Sequence, residues 1–325
     1  MLGYIAKRLI ALIPVLFGIT LLVFLAMHLV PGDVAQTLIG EKGGQEKIVK
    51  LRHELGLDRP LYVQYWIFLR RAVTGNFGVS YQTMEPATAM VMQAFPVTLQ
   101  LSFVAIPAGI IAAIKQNSIF DNALMAGASL GISLPVFWTA ILLMMLFSLR
   151  LHWFPFVGII SNNTNLHHIT GFQLLDALIT GNGTAFVDVL RHLVLPGIAL
   201  GTISMAFIAR MMRSSLLEVL QKDYIKTARS KGSAEFIVIT KHALKNAMLP
   251  VVTVVGLQFG TLLGGAILTE TVFAMPGIGR LAVTSILFRD YPVVEALVMF
   301  TALAVVLVNL IVDVSYAYID PRIRY

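Results

Sequence analysis

The chain has 325 residues, of which 57% are hydrophobic and only 13% charged, where a soluble domain carries about 25% charged residues. A mean hydropathy of +0.81 excludes a soluble domain, so apolar run length becomes the informative signal. There is no cysteine, which excludes disulfides and thiolate metal sites, and span orientation and anionic headgroups account for the net charge of +7 better than nucleic acid does.

Six apolar runs near the length of a bilayer core follow in chain order, at about 9–30, 97–114, 122–148, 193–212, 248–273 and 293–319. They predict an all-α integral membrane protein with six transmembrane helices. The first run follows Lys7 and Arg8, exceeds a secretory signal core, and ends in His28-Leu29-Val30-Pro31-Gly32-Asp33 without a small-residue cleavage pattern. It reads as an uncleaved anchor. In the outer segment 31–96, Gly56-Leu57-Asp58-Arg59-Pro60 is a turn and 62–69 is an amphipathic interfacial helix. Gly75-Asn76-Phe77-Gly78 is a second turn. The second run, with Pro107 and Gly109 inside it, reaches only roughly 27 Å at 1.5 Å per residue. Further residues are therefore expected between Phe103 and Pro107. The chain divides into 1–95, an N-terminal span plus folded outer segment, and 96–325, a five-helix core carrying a cytoplasmic segment at 213–247.

Basic residues near the span ends set the orientation. With the N-terminus inside, the inner segments hold Lys7, Arg8, Lys115, Arg213, Lys222, Lys226, Arg229, Lys231, Lys241, Lys245, Arg322 and Arg324. The two short outer segments hold Arg150, Arg191, Arg280 and Arg289. Both termini are thus expected in the cytoplasm.

The longest inner segment contains Asp223-Tyr224-Ile225-Lys226-Thr227-Ala228-Arg229-Ser230-Lys231-Gly232. On a helix capped by Asp223, Lys222, Lys226 and Arg229 fall on one side and Tyr224, Ile225 and Ala228 on another. Gly232 permits a turn at positive φ, Ser233 can cap a second helix to about Lys245, and Leu249-Pro250 opens the next span. The residues alone leave two readings open: a docking helix for another protein, or a solvated loop whose charges only set topology.

The pattern Asp223-Tyr224-x-x-Thr227-Ala228-Arg229-x-Lys231-Gly232, with Pro250 eighteen residues after the glycine, resembles the cytoplasmic EAA loop of binding-protein-dependent ABC importer permeases, in their peptide and nickel branch. The resemblance runs nearly end to end, through Pro31-Gly32-Asp33, Pro135-Val136-Phe137-Trp138, His192-Leu193-Val194-Leu195-Pro196, Glu270-Thr271-Val272-Phe273, Pro276-Gly277-Ile278-Gly279-Arg280, Arg289-Asp290-Tyr291-Pro292 and Asp320-Pro321-Arg322-Ile323-Arg324. The literal Glu-Ala-Ala is here Lys226-Thr227-Ala228. The resemblance implies a type I importer permease fold, MetI-like, in a bacterial cytoplasmic membrane. It implies a second permease subunit, two cytoplasmic ATP-binding subunits and an extracytoplasmic solute-binding protein. It also implies that 223–232 couples the pore to the ATPases, with Tyr224 and Ile225 packing into an ATPase groove. Dipeptides or short oligopeptides are the implied cargo, with nickel chelates or glutathione-like solutes as alternatives. No G-x-x-x-x-G-K-[ST] run occurs, so the chain itself carries no P-loop. ATP and Mg would belong to the partner ATPases, with no cofactor in this chain.

Other classes fit less well. His53-Glu54-Leu55-Gly56-Leu57 lacks the second histidine of a zinc-protease helix, and Gly131-Ile132-Ser133-Leu134-Pro135 lacks the closing glycine of a nucleophile elbow. A secondary transporter would carry buried ion-coupling charges within its spans and an inverted repeat; the span interiors are almost charge-free and no repeat is evident. Asn309 and Asp313 in the last span, with Glu270 near an outer end, are candidate pathway residues. For Asp313 the alternative is a headgroup or Arg322 contact, and for Glu270 it is interfacial solvation. His152, His167 and His168 read as solvated loop residues rather than metal ligands, and no metal site is expected.

Overall fold

The computed structural model describes residues 2–29, 34–39, 44–114 and 134–319. Among these the chain is helical, and the one β pairing is an isolated bridge between Val79 and Pro86. Helix α1 (Leu2–Leu29) leads into a segment of α2 (Val34–Ile39), α3 (Gln45–Glu54) and α4 (Leu61–Thr74). Then come α5 (Ala87–Ile114), α6 (Val136–Leu143) running into a π-helical stretch Met144–Arg150, and α7 (Gln173–Ile179). Next are α8 (Gly183–Leu220) and α9 (Asp223–Ser230). A helical turn Glu235–Ile237 and a π-helical stretch Val238–Ala243 continue into α10 (Leu244–Val272). Helices α11 (Ile278–Leu287) and α12 (Tyr291–Ile319) complete the fold.

Every expected span falls on a helix, the third only from Val136 onward, because 122–133 lie outside the described residues. Among the described residues three stretches are long and apolar enough to cross a membrane: Gly183–Thr202, Glu235–Gly264 and Tyr291–Tyr316. Ile13–Ala26, Val136–Arg150 and Ile278–Leu287 are shorter apolar helices. The second span is not short. Helix α5 starts at Ala87 and has 28 residues, roughly 42 Å at 1.5 Å per residue. Polar Thr88 and Gln93 hid its first turns from a run-length reading. The argument from shortness for further residues between Phe103 and Pro107 therefore does not hold.

Helix α8 extends past its apolar run at both ends, started by Asn182, whose side-chain oxygen accepts the Ala185 N–H at 3.0 Å. It packs along α5 and α10, burying Leu101, Val189, Leu193, Leu195, Leu262 and Ala266. A second cluster joins α1, α4, α5 and α12 through Phe24, Phe68, Val91 and Leu297. Helices α10 and α12 approach closely at Gly256, where any Cβ would lie 2.7 Å from Val312 Cγ2. Such small-residue contacts hold membrane helices together where hydrophobic burial cannot.

The loops between α6 and α8 are pinned by two carboxylates, Asp176 buried and Asp188 half-buried. Asp176 accepts the Thr170 N–H at 2.8 Å, its hydroxyl at 2.6 Å and the Gly171 N–H at 3.3 Å. Burial opposes its ionisation, but these bonds more than offset that and hold the carboxyl below its ordinary value. Asp188 ties the polar loop at Ser161 and Thr164 to α8.

Candidate functional site

The basic segment 223–232 forms the helix its sequence predicts. Lys222 occupies the N-cap position with extended backbone (φ −68°, ψ 148°), and Asp223 is the first helical residue. Asp223 is therefore not the cap. Its carboxylate instead accepts from Lys226 Nζ at 2.9 Å, while a negative charge in the first turn favours the helix dipole. Gly232 takes φ +76°, and its N–H bonds the Arg229 carbonyl at 2.9 Å. The chain thus turns back at once.

Ile225 is fully buried, in a cluster with Ile208, Met212, Leu216, Val238 and Ala247 at the adjoining ends of α8 and α10. This corrects the expectation that Ile225 seats in a partner's groove: it anchors α9 to its own chain. Tyr224 is exposed, and its hydroxyl accepts from Asn246 Nδ2 at 2.8 Å. Helix α9 is thus held to both flanking helices. Ile225→Ala should cost about 2–5 kcal/mol locally. Hydrogen exchange across 223–231 should accelerate clearly in this variant, whereas Thr227→Ala should leave it unchanged.

The outward face is polar: Asp223, Lys226, Thr227, Arg229, Lys231 and Gly232 are exposed, and Ala228 is half-buried. Arg229 bonds Glu235 through Nε at 3.0 Å and Nη2 at 2.6 Å. That carboxylate holds the guanidinium above its ordinary pKa and closes the turn across Gly232. The next residue was missed by sequence reasoning. Phe236 is 77% exposed and Ile237 is 45% exposed, an apolar knob beside a basic helix. An unexplained Phe in a charged inner loop was the available signal. Ser233 does not cap the following helix, because Ala234 holds that position. Pro250 does not open a span either: it lies inside α10, which is continuous with the helical chain from Glu235.

The candidate pathway residues are not brought together. Glu270 lies at the C-terminal end of α10 and Asp313 more than twenty residues down α12 from its start at Tyr291. Glu270 is fully buried, which corrects both the pathway and the interfacial-solvation readings. Its carboxylate accepts from the Thr98 hydroxyl and, at 3.1 Å, from the Arg280 N–H at the start of α11. Thr98 in turn accepts the Ile278 N–H at 2.9 Å. This knot ties α5, α10 and α11, and a Cβ at Gly277 would strike the Glu270 carboxylate. Asn309 is exposed and faces α10 near Gly256, and Asp313 is half-buried. Arg322 lies outside the described residues. His152, His167 and His168 are exposed, and among the described residues no cluster could hold a metal. Two more knots escaped the sequence: Gln100 Nε2 donates to Gln173 Oε1 at 2.7 Å, and Asp290 accepts from the Ser80 hydroxyl and the Tyr81 N–H.

Comparison with known proteins covers the whole chain. Residues 105–325 match the model of the binding-protein-dependent transport system inner membrane component, and 1–102 match its N-terminal counterpart. The dipeptide transport system permease protein DppB of Alkalihalophilus pseudofirmus is 46% identical over the full length of both chains. The di/tripeptide permease protein DppB of Pseudomonas aeruginosa is 45% identical over all of this chain and 99% of its own. The glutathione permease protein GsiC of Escherichia coli is 42% identical over both full lengths. These alignments run over 333 and 334 positions against 325 residues, so each opens at least eight gap positions in this chain. The match to the family model over two thirds of the sequence, with full-length relatives above 40% identity, shows that the chain belongs to the family of binding-protein-dependent transport system inner membrane components, the membrane permeases of ABC importers.

Proposed function

We propose that this chain is one pore-forming subunit of an ATP-driven importer of dipeptides or short oligopeptides in a bacterial cytoplasmic membrane. The observation that carries the mechanism is α9: a basic, exposed helix locked by Ile225 onto the ends of two long helices. The reading takes six spans with both termini cytoplasmic, a second permease subunit, two cytoplasmic ATP-binding subunits and an outer solute-binding protein. ATP hydrolysis belongs to the partners, since this chain has no P-loop sequence. Movement of the ATPase surface would pull on α9 at Lys226 and Arg229 and on the following turn at Phe236, and the Ile225 anchor would pass it to α8 and α10. The cargo assignment rests on the full-length likeness to permeases named for dipeptides.

The glutathione permease relative favours a second cargo, a modified tripeptide. Uptake of labelled dialanine by cells expressing the chain with its partner subunits separates the two. Competition by unlabelled di- and tripeptides supports the first cargo, and stronger competition by glutathione supports the second.

Topology is tested by single cysteines at exposed sites. Asn163 and Lys231 are both exposed, whereas Ser161 is half-buried against Asp188. An impermeant thiol reagent should label Asn163→Cys on intact cells and should label Lys231→Cys only after lysis. The opposite pattern inverts the orientation.

A further inference from the structure

We infer that a groove at the outer end of the bundle receives the zwitterionic backbone of a dipeptide, Glu85 holding the ammonium and Arg280 the carboxylate. The inference rests on the peptide reading above and adds a site within the permease itself. The groove has a volume of about 550 Å³ and lies between the N-terminal part of α5, the start of α7 and α11. Ligand sites typically enclose about 300–1,000 Å³. Its walls combine apolar Met90, Val97 and Leu281 with Glu85, Gln93, Gln173 and Arg280.

Two opposite charges share this groove without pairing with each other: the ion pairs among the described residues include neither. The backbone carrying each is held by other bonds, and Arg280 is also held through its side chain. The Glu85 carbonyl accepts the Ser80 N–H at 2.8 Å, and Ser80 is itself bound to Asp290. Arg280 donates its backbone N–H to buried Glu270 and its Nη1 to the Ala274 carbonyl at 2.9 Å. Gln173 is fixed by Gln100. Gly277 forms part of the wall with no room for a side chain. An anion and a cation lining one groove suit a guest carrying both charges. The apolar residues of the same lining accept varied side chains, as a general peptide path requires.

The test uses the importer purified with its partner subunits in lipid nanodiscs, without the outer binding protein. Saturation-transfer NMR compares dialanine, N-acetyl-dialanine and dialanine amide at millimolar concentration. Dialanine should bind roughly tenfold better than either capped form, the scale of one charged hydrogen bond. Glu85→Gln should erase the discrimination against the acetylated peptide only, and Arg280→Gln that against the amide only. Equal signals for all three peptides on the unmodified importer, or no crossed pattern in the variants, would overturn the proposal. Uptake of labelled dialanine by cells then separates two failures. If uptake depends on this chain and the crossed pattern is absent, the groove assignment alone falls. If neither uptake nor binding occurs, the peptide reading falls with it.

Discussion

Gly232→Val is expected to abolish transport while the chain still inserts at normal abundance. The backbone at Gly232 has φ +76°, and a Cβ there would meet nothing within 4 Å. The penalty is therefore conformational, about 1–2 kcal/mol for a left-handed residue, and greater for a β-branched one. The chain escapes it by abandoning the turn, which swings Phe236 and the Arg229–Glu235 pair away from their places. Arg229→Glu reaches the same end by charge, setting a carboxylate against Glu235. Both variants should lose uptake and substrate-stimulated ATP hydrolysis together, by tenfold or more for each roughly 1.4 kcal/mol lost in coupling. Lys50→Glu on exposed α3 of the outer segment should leave both intact. Uptake and ATPase rates in reconstituted vesicles decide, and normal transport in the two loop variants would reduce 223–232 to a topological anchor.

Gly279→Leu should fail earlier, at assembly. A Cβ at Gly279 would lie 2.5 Å from Ile267 Cα and 2.7 Å from its nitrogen, both backbone atoms of α10. Backbone cannot yield as a side chain can, so α11 must lift away, at or beyond the about 1–3 kcal/mol typical of overpacking. Lifting α11 also strips Glu270 of the Arg280 N–H and Thr98 of the Ile278 N–H. Each orphaned buried group adds about 1–3 kcal/mol. The expected result is sharply reduced membrane abundance and a lower melting temperature in detergent. Glu270→Leu should share this defect, and Glu270→Gln, which keeps an acceptor oxygen, should be milder. A wild-type melting temperature for Gly279→Leu would show that α11 is not packed as described.

The long helices were legible because lipid demands long apolar runs, and those at 248–273 and 293–319 need no tertiary knowledge to find. Run length failed where polar residues sit inside a helix. Thr88 and Gln93 placed the start of α5 ten residues late, although the helix runs unbroken from Ala87. Helix α9 was legible for a local reason: its charge pattern and its glycine both lie within ten residues. Its role division was not. Ile225 and Tyr224 are neighbours of similar apolar character, and only the arrangement of α8 and α10 decides that Ile225 is buried and Tyr224 exposed. Glu270 is the plainest case. Near a span end it reads as solvated or functional, yet Thr98, its partner, stands 172 positions away in the chain.

The central claim, that α9 and the exposed knob after it are gripped by an ATP-binding partner, is tested most directly by a photo-crosslinking residue at Phe236. Irradiation of membranes from cells expressing the complete importer should join position 236 to a single chain carrying a Walker-type phosphate-binding sequence, identified by mass spectrometry. The yield should fall when Gly232→Val is combined with it. Crosslinks only to lipid or to other permease chains, in an importer that still transports, would contradict the account.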